Sequence, residues 1–279
     1  MGAIDDEGHH YGAREQKALR RVQIQYSIIQ NLDTRWLLYQ AGNKPHHKEI
    51  DDQSGPDVIP VHLHYFRFIK YFKGKFLFQI MYVDIEIEND IAIANFRGVR
   101  GTLNGDDVKV LIELGRKIPE NGRYLETGSY LGCSAHIIAE SSKNTTLWCH
   151  DIWVAEWSDL KGTPPPEVKD YFYEFYKNVK KYKLENRIIP IRGDSAYTIG
   201  IHDDNSIDLA FIDGDHSYEG CMADLKAVWP KMKSGATVIV HDCIIEEVLA
   251  AVNKFLELQT NVRKLYTIAG TSMIIIELI

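Results

Sequence analysis

No stretch of this chain reaches the about 18 consecutive apolar residues that a membrane-crossing helix requires, so no membrane partner is expected. The opening stretch, Met1–His10, is polar and acidic, which is not the pattern of a secretory leader. Cysteine is scarce: Cys133, Cys149, Cys221 and Cys243 are scattered, with no Cys-x-x-Cys pair. Neither a zinc site nor a disulfide framework is signalled, and reduced, buried thiols in a cytoplasmic protein are expected. Basic residues are outnumbered, 32 Lys and Arg against 39 Asp and Glu, for a net charge of −7. That balance argues against a primary nucleic-acid binder. A Gly-x-Gly-x-x-Gly run is missing as well, which argues against a dinucleotide oxidoreductase. There is no internal repeat and no low-complexity tract.

The composition that remains, 45% hydrophobic and 25% charged over 279 residues, is that of a soluble globular protein. Two regions differ in rhythm. Residues 1–104 read as an α+β extension. Its first 20 residues are polar, Val22–Leu38 has helix-like apolar spacing, and Gly42–Pro60 is turn-rich. Val61–Ile69, Phe76–Ile87 and Ile91–Phe96 are rich in β-branched and aromatic residues, and predict two or three antiparallel strands. His62 and His64 share one face of the first and read as ordinary strand histidines. The aromatics of this region suit the core of a small strand layer. Their position ahead of the main domain makes them candidates for acceptor or oligomer contacts.

Residues 105–279 alternate strands and helices. Asp106–Ile118 is an amphipathic helix that Asp106 can cap. Five strands follow, at Tyr124–Glu126, Thr146–Asp151, Arg187–Arg192, Ile207–Asp213 and Ala236–Asp242, with helices at Ser134–Ser142, Glu167–Lys183, Tyr218–Val228 and Ile245–Leu258. Lys264–Ala269 and Ser272–Leu278 form a closing hairpin. The expected fold is a mostly parallel α/β sheet covered by helices on both faces, with an antiparallel edge. The long, proline-rich run Trp153–Pro166 has the character of a lid.

Residues 123–134 are the most informative. A short hydrophobic run ends in Glu126, and Gly128 and Gly132 follow before a helix start. This is a strand, a glycine turn and a helix, which lets backbone approach a nucleotide-like ligand closely. An acid before the first glycine suits a ligand with a positively charged amino group, which points to S-adenosylmethionine (SAM). In open α/β sheets ligands bind beyond the carboxyl ends of the strands, and each of those five ends carries an acid. They are Glu126-Thr127-Gly128, Asp151-Ile152-Trp153, Gly193-Asp194-Ser195, Asp213-Gly214-Asp215-His216 and His241-Asp242-Cys243. Asp151 lies at the distance from Glu126 where an acid accepts ribose hydroxyls. Ile152 and Trp153 could cover an adenine, Asp194 could accept from its amino group, and Ser195 could help to fix the base. Each acid could also be only a helix cap or a turn former.

Glu126-Thr-Gly-Ser-Tyr-Leu-Gly132, His150-Asp-Ile-Trp153, Arg192-Gly-Asp-Ser195, Phe211-Ile-Asp-Gly-Asp-His-Ser-Tyr-Glu-Gly220 and Val238-Ile-Val-His-Asp242 occur in order. Together they resemble the class I SAM-dependent methyltransferases, within them methyltransferase family 24, the macrocin, rhamnosyl and cephalosporin-hydroxylase-like group. The resemblance covers about residues 105–279 and implies a Rossmann-like seven-stranded sheet with SAM as methyl donor. The implied cofactor contacts are Glu126, Thr127, Gly128, Ser129, Gly132, Asp151, Ile152, Trp153, Gly193, Asp194, Ser195 and Asp213. By likeness to catechol-type enzymes, Asp213 and Asp242, with His241 adjacent, would hold Mg2+ or another divalent cation. His216 stands where a general base would lie, with Asp213 beside it. Cys243 departs from that pattern, because a soft thiol is a poor ligand for Mg2+, and Asp215 or His241 could complete the set.

The function this implies is O-methylation of a hydroxyl on a small molecule or a sugar, in a cytoplasmic enzyme that could be a homo-oligomer. N-methylation and a catalytically silent SAM-binding module are the alternatives.

Overall fold

A computed structural model describes residues 59–72, 75–88, 91–154, 168 and 170–279. The expectations for residues 1–58 and for most of the lid segment therefore lie outside the described residues. So do the side chains of His62 and His64.

The N-terminal sheet has four antiparallel strands in the order β1-β2-β3-β4, namely β1 (Ile59–Phe72), β2 (Lys75–Glu88), β3 (Ile91–Phe96) and β4 (Val99–Gly101). The last strand was not foreseen, because Val-Arg-Gly is too short to show a period. A two-residue loop creates it: Arg97 and Gly98 both take positive φ, 54° and 84°, and pair Phe96 with Val99.

Helix α1 (Gly105–Lys117) follows. Its cap is Asn104 and not Asp106: the Asn104 side chain accepts from the Asp106 and Asp107 N–H groups, and Asp107 returns a bond to the Asn104 N–H at 2.9 Å. This reciprocal pair is a capping box. Helix α2 (Cys133–Ser141) starts at Gly132 in the left-handed region. Helix α3 (Tyr171–Lys181) starts later than the sequence suggested, capped by Asp170. A short α4 (Ser195–Thr198), α5 (Tyr218–Val228) and α6 (Glu246–Leu256) complete the helices used below.

The second sheet has seven strands, ordered β10-β11-β9-β8-β5-β6-β7. They are β5 (Arg123–Thr127), β6 (Thr146–Asp151), β7 (Ile188–Arg192), β8 (Ile207–Ile212), β9 (Met232–Val240), β10 (Val262–Thr267) and β11 (Ile274–Leu278). Pairings β5–β6, β6–β7, β5–β8 and β8–β9 are parallel. Strand β11 inserts antiparallel between β9 and β10. This is the expected Rossmann-like sheet with its antiparallel hairpin.

Both faces are buried, and strand alternation divides the apolar residues between them. Leu209, Phe211, Ile239 and Ile275 enter one core with Val108 and Leu111 of α1, Ile137 and Ile138 of α2, and Phe175 of α3. Val83, Phe96 and Val99 of the small sheet join that core. Ala210, Ile212, Val238, Val240, Ile274 and Ile276 enter the other, against Leu225 and Val228 of α5 and Val248 and Val252 of α6. The chain runs from β5 outward to β7, then returns to lay β8 on the other side of β5. That reversal makes β5/β8 a switch point, where the strand ends diverge and leave room for a ligand. Among the described residues no helix is long and apolar enough to cross a membrane.

Candidate functional site

A cavity of about 980 Å³ opens over the carboxyl ends of β5, β6, β7 and β8. That is the upper end of the usual range for small-molecule pockets. Of the residues expected to contact a cofactor, Gly128, Ser129, Asp151, Ile152, Trp153, Gly193, Asp194, Ser195 and Asp213 line it. Glu126, Thr127 and Gly132 do not.

The glycine turn shows why. Gly128 (φ 77°) donates its N–H to the His150 carbonyl at 2.9 Å, while the Asp213 N–H bonds the Thr127 carbonyl at 3.1 Å. A Cβ on Gly128 would collide with the Asp213 carbonyl, so only glycine allows β5 and β8 to close this tightly. Glu126 is wholly buried beneath the turn, where its Oε2 accepts from the Tyr124 hydroxyl (2.7 Å) and Ser134 Oγ (3.0 Å). Burial raises its pKa against those hydrogen bonds. Gly132, at the start of α2, packs against the Phe175 ring.

Asp151 accepts from two backbone amides, Tyr130 N–H at 2.7 Å and Trp153 N–H at 2.6 Å, one on each oxygen. Burial raises the Asp151 pKa against these bonds. Trp153, equally suited by sequence to ring stacking or to packing, lines the cavity as a packed residue. Its indole is only 4% exposed, donates Nε1–H to the Tyr130 carbonyl at 2.7 Å, and packs on Phe172 and Phe175 at 5.0 and 4.9 Å. The rim aromatic is Tyr197, 81% exposed. Asp194 caps α4, accepting from the Ala196 N–H at 3.0 Å, and Ser195 donates to Asp224 at 2.5 Å. Both therefore have structural duties at the cavity wall. Asp224 is a buried acid that sequence reading missed, and burial pushes it up to about 6.

Asp213, His216 and Asp242 converge, with one ligand atom from each lying within 4.8 Å of the others. His216 Nε2 stands 3.3 Å from Asp242 Oδ2 and 3.8 Å from Asp213 Oδ1. Neither contact is counted as a hydrogen bond, so this buried nitrogen has the two carboxylates as ion-pair neighbours only. Burial would lower the His216 pKa, but Asp213 and Asp242 outweigh it and raise it.

His216, not His241, is thus the third member of this cluster. His241 is buried behind it: Nδ1 lies 3.0 Å from Asp213 Oδ1 and 3.3 Å from Asp242 Oδ2, and Nε2 faces Asp107 Oδ2 at 3.4 Å. Asp215 does not complete the set, because it is exposed and turns to accept from the Ser217 N–H. Nor does Cys243, which is buried with Sγ facing the Val240 carbonyl at 3.3 Å. All four cysteines are free and buried, and burial pushes Cys133 and Cys221 up to about 12. They are inert packing thiols.

Two carboxylates and an imidazole are a donor set that suits a divalent cation, and a buried Nε2 without a hydrogen bond fits it. Sequence reading missed Asp107, Ser272 and the wall Arg100–Leu103, which brings β4 to the cavity. Only the Asn104-x-x-Asp107 spacing signalled any of these, as a helix cap.

A family model described as a methyltransferase domain, that of methyltransferase family 24, matches residues 125–243. No curated protein matches the chain in sequence. Three solved structures similar to it are an O-methyltransferase from Bacillus cereus in complex with SAH, the O-methyltransferase NovP, and a methyltransferase from Geobacter sulfurreducens. The first is 16% identical over 63% of this chain and 82% of that one, with a TM-score of 0.49. NovP is 18% identical over 62% and 78%, TM-score 0.48. The Geobacter enzyme is 15% identical over 63% and 79%, TM-score 0.48.

Proposed function

We propose that this chain, whose residues 125–243 match the model of methyltransferase family 24, is a SAM-dependent methyltransferase of that family and that it methylates a hydroxyl of a small molecule or a sugar beside a divalent cation. The observation that carries this is the convergence of Asp213, His216 and Asp242 at the edge of a cavity whose other wall is the glycine turn. Asp151 is the acceptor for ribose hydroxyls, and Gly193-Asp194-Ser195 with Tyr197 form the wall for the base. Asp213 and Asp242, with His216, would hold the cation. When bound, such an ion lowers the pKa of an acceptor hydroxyl, so that its oxygen attacks a sulfonium methyl readily. The chain's own contribution is to hold donor and acceptor in line and to exclude water.

A second reading needs no cation. His216, its pKa raised by two carboxylates, removes the acceptor's proton, and Asp213 and Asp242 stabilise the imidazolium. Residues 1–104 choose the acceptor, and their last strand supplies Arg100 and Gly101 to the wall. A cytoplasmic location and a homo-oligomeric state are consistent with the proposal.

Calorimetric titration of SAH into wild type and Asp151→Ala tests the cofactor site. Micromolar binding that collapses in the variant is expected, and no binding to wild type refutes the site. Labelled methyl transfer to an acceptor panel, with and without EDTA, then separates the two readings. Loss of turnover on chelation favours the cation. Full activity after chelation favours His216 alone.

A further inference from the structure

Asp107 is anomalous for a helix-capping acid. It is the third residue of α1 and closes the capping box through Oδ2, yet it is only 2% exposed, and its Oδ1 has no partner. Burying a carboxylate costs several kcal/mol, and an exposed Asp, or an Asn, would cap the helix without that cost. The buried carboxylate faces the Nε2 edge of His241, 3.4 Å away, and the opposite edge of that ring touches Asp213 at 3.0 Å. The ring is 4% exposed and lies against Phe211, with centroids 5.7 Å apart. Its Nδ1 edge is hydrogen-bonded to Asp213, and its Nε2 edge has the Asp107 carboxylate as an ion-pair neighbour without a hydrogen bond.

Asp242 is held comparably from its other side. Ser272, in the turn between β10 and β11, donates to Asp242 Oδ1 at 3.4 Å and accepts from the Asp242 N–H at 3.3 Å. The same turn seats α1, since a side chain on Gly270 would strike the Asp106 carboxylate. Each carboxylate of the cluster thus has a fixed partner behind it.

We infer that Asp107 is a positioning residue: it fixes the His241 ring, and the ring fixes the Asp213 carboxylate toward His216 and Asp242. The inference rests on the cation reading above. Outer partners of ligating groups typically contribute 10- to 100-fold to metal affinity or activity. The helix cap at the start of α1 is thereby part of the site, which joins the region carrying the small sheet to the chemistry at β8 and β9.

The test is titration of Mn2+ alone into the full chain, with SAH titration and metal-free thermal melting as parallel readouts. Asp107→Asn keeps an acceptor for the Asn104 N–H, so the cap survives while the charge facing His241 is lost. Its Mn2+ affinity should fall about tenfold, with SAH affinity and melting temperature unchanged. His241→Asn keeps a donor near Asp213 but cannot reach Asp107. It should lose Mn2+ affinity by a similar factor, and adding Asp107→Asn to it should have no further effect.

Unchanged Mn2+ affinity in Asp107→Asn overturns the inference. So does an equal, additive loss in both backgrounds, or a parallel loss of SAH affinity, which would mark a structural role only. If Asp107→Asn does not fold, His241→Asn decides: retained Mn2+ affinity there overturns the inference as well. Absence of Mn2+ binding to wild type would overturn it together with the cation reading, while SAH binding would still uphold the cofactor site.

Discussion

His150, which opens the His150–Trp153 motif beside the cavity, sets a pH dependence of stability. Its ring is fully buried, with Nδ1 2.9 Å from Thr198 Oγ1 and Nε2 2.9 Å from Nε2 of His202. Two facing nitrogens can share one proton and not two. Burial, with His202 adding to it, pushes the His150 pKa down to about 3 from 6.5. His202 is lowered too, by burial and then by Arg123 and Lys231. Because the folded pKa lies below the unfolded one, the stability is fully present above about pH 6.5 and is lost as pH falls toward about 3. For His150 alone, the loss between pH 7 and pH 5 is about 2 kcal/mol. In a chain of this size that is a drop of about 4–8 °C in Tm. Urea unfolding of wild type and His150→Asn at pH 7, 6 and 5 checks it. The variant starts less stable but should lose about 2 kcal/mol less over the interval. Parallel decline of the two proteins would refute the reasoning, because the acid sensitivity would then reside elsewhere.

Gly128→Ala should cost more than about 3 kcal/mol and abolish SAH binding, since the new methyl group strikes backbone at a positive φ; equilibrium unfolding and calorimetry measure both. Trp153→Ala should lose about 3–5 kcal/mol of stability, whereas Trp153→Phe keeps the packing on Phe172 and Phe175 and should bind SAH within a fewfold of wild type. A large loss of SAH affinity in a stable Trp153→Phe would mark the ring as a base platform. Asp224, pushed up to about 6 by burial, should favour the fold at low pH and lose about 3 kcal/mol as pH rises from about 4 past 6. Asp224→Asn should flatten that slope in urea titrations.

The fold was legible wherever burial writes a period into the chain. Leu209-Ala210-Phe211-Ile212 and Ile274-Ile275-Ile276 are continuous apolar runs because both faces of their strands are covered, and helices separate most of the parallel strands. The glycine turn was legible because Gly128 has no substitute. The β4 strand was not, since three residues show no alternation and its cause is the Arg97-Gly98 loop. The start of α1 was misjudged by two residues, from Asn104 to Asp106, because Asn, Gly and Asp are all plausible caps in sequence. At the site, the strand-end acids could be located but not assigned. Asp194 caps a helix as well as lining the cavity, Asp215 closes a turn, and Trp153 packs in the core at the cavity's edge. Asp107 was invisible as a site residue, because its partner His241 is distant in sequence and only folding shows that its carboxylate is buried.

The placement of His241, Asp242 and Cys243 follows from one backbone angle. In a regular strand, alternation would put His241 and Cys243 on the same face and Asp242 on the other. Asp242 instead takes φ 51°, a left-handed conformation that costs of order 1–3 kcal/mol for a residue other than glycine. That twist, just past the end of β9, breaks the alternation. His241 and Asp242 both come to face Asp213, while Cys243 enters the core shared with Val240 and Val248. The strained residue is held by three bonds: its N–H to Ser272 Oγ, the Cys243 N–H to the Ser272 carbonyl at 2.8 Å, and the Ile245 N–H to the Asp242 carbonyl at 2.9 Å. The thiol that looked like a flaw in a hard-cation site is therefore no part of it. The same twist that buries Cys243 delivers a second carboxylate beside the first, and it depends on Ser272 in the closing hairpin. The hairpin that completes the sheet is also what holds the site's last residue in place.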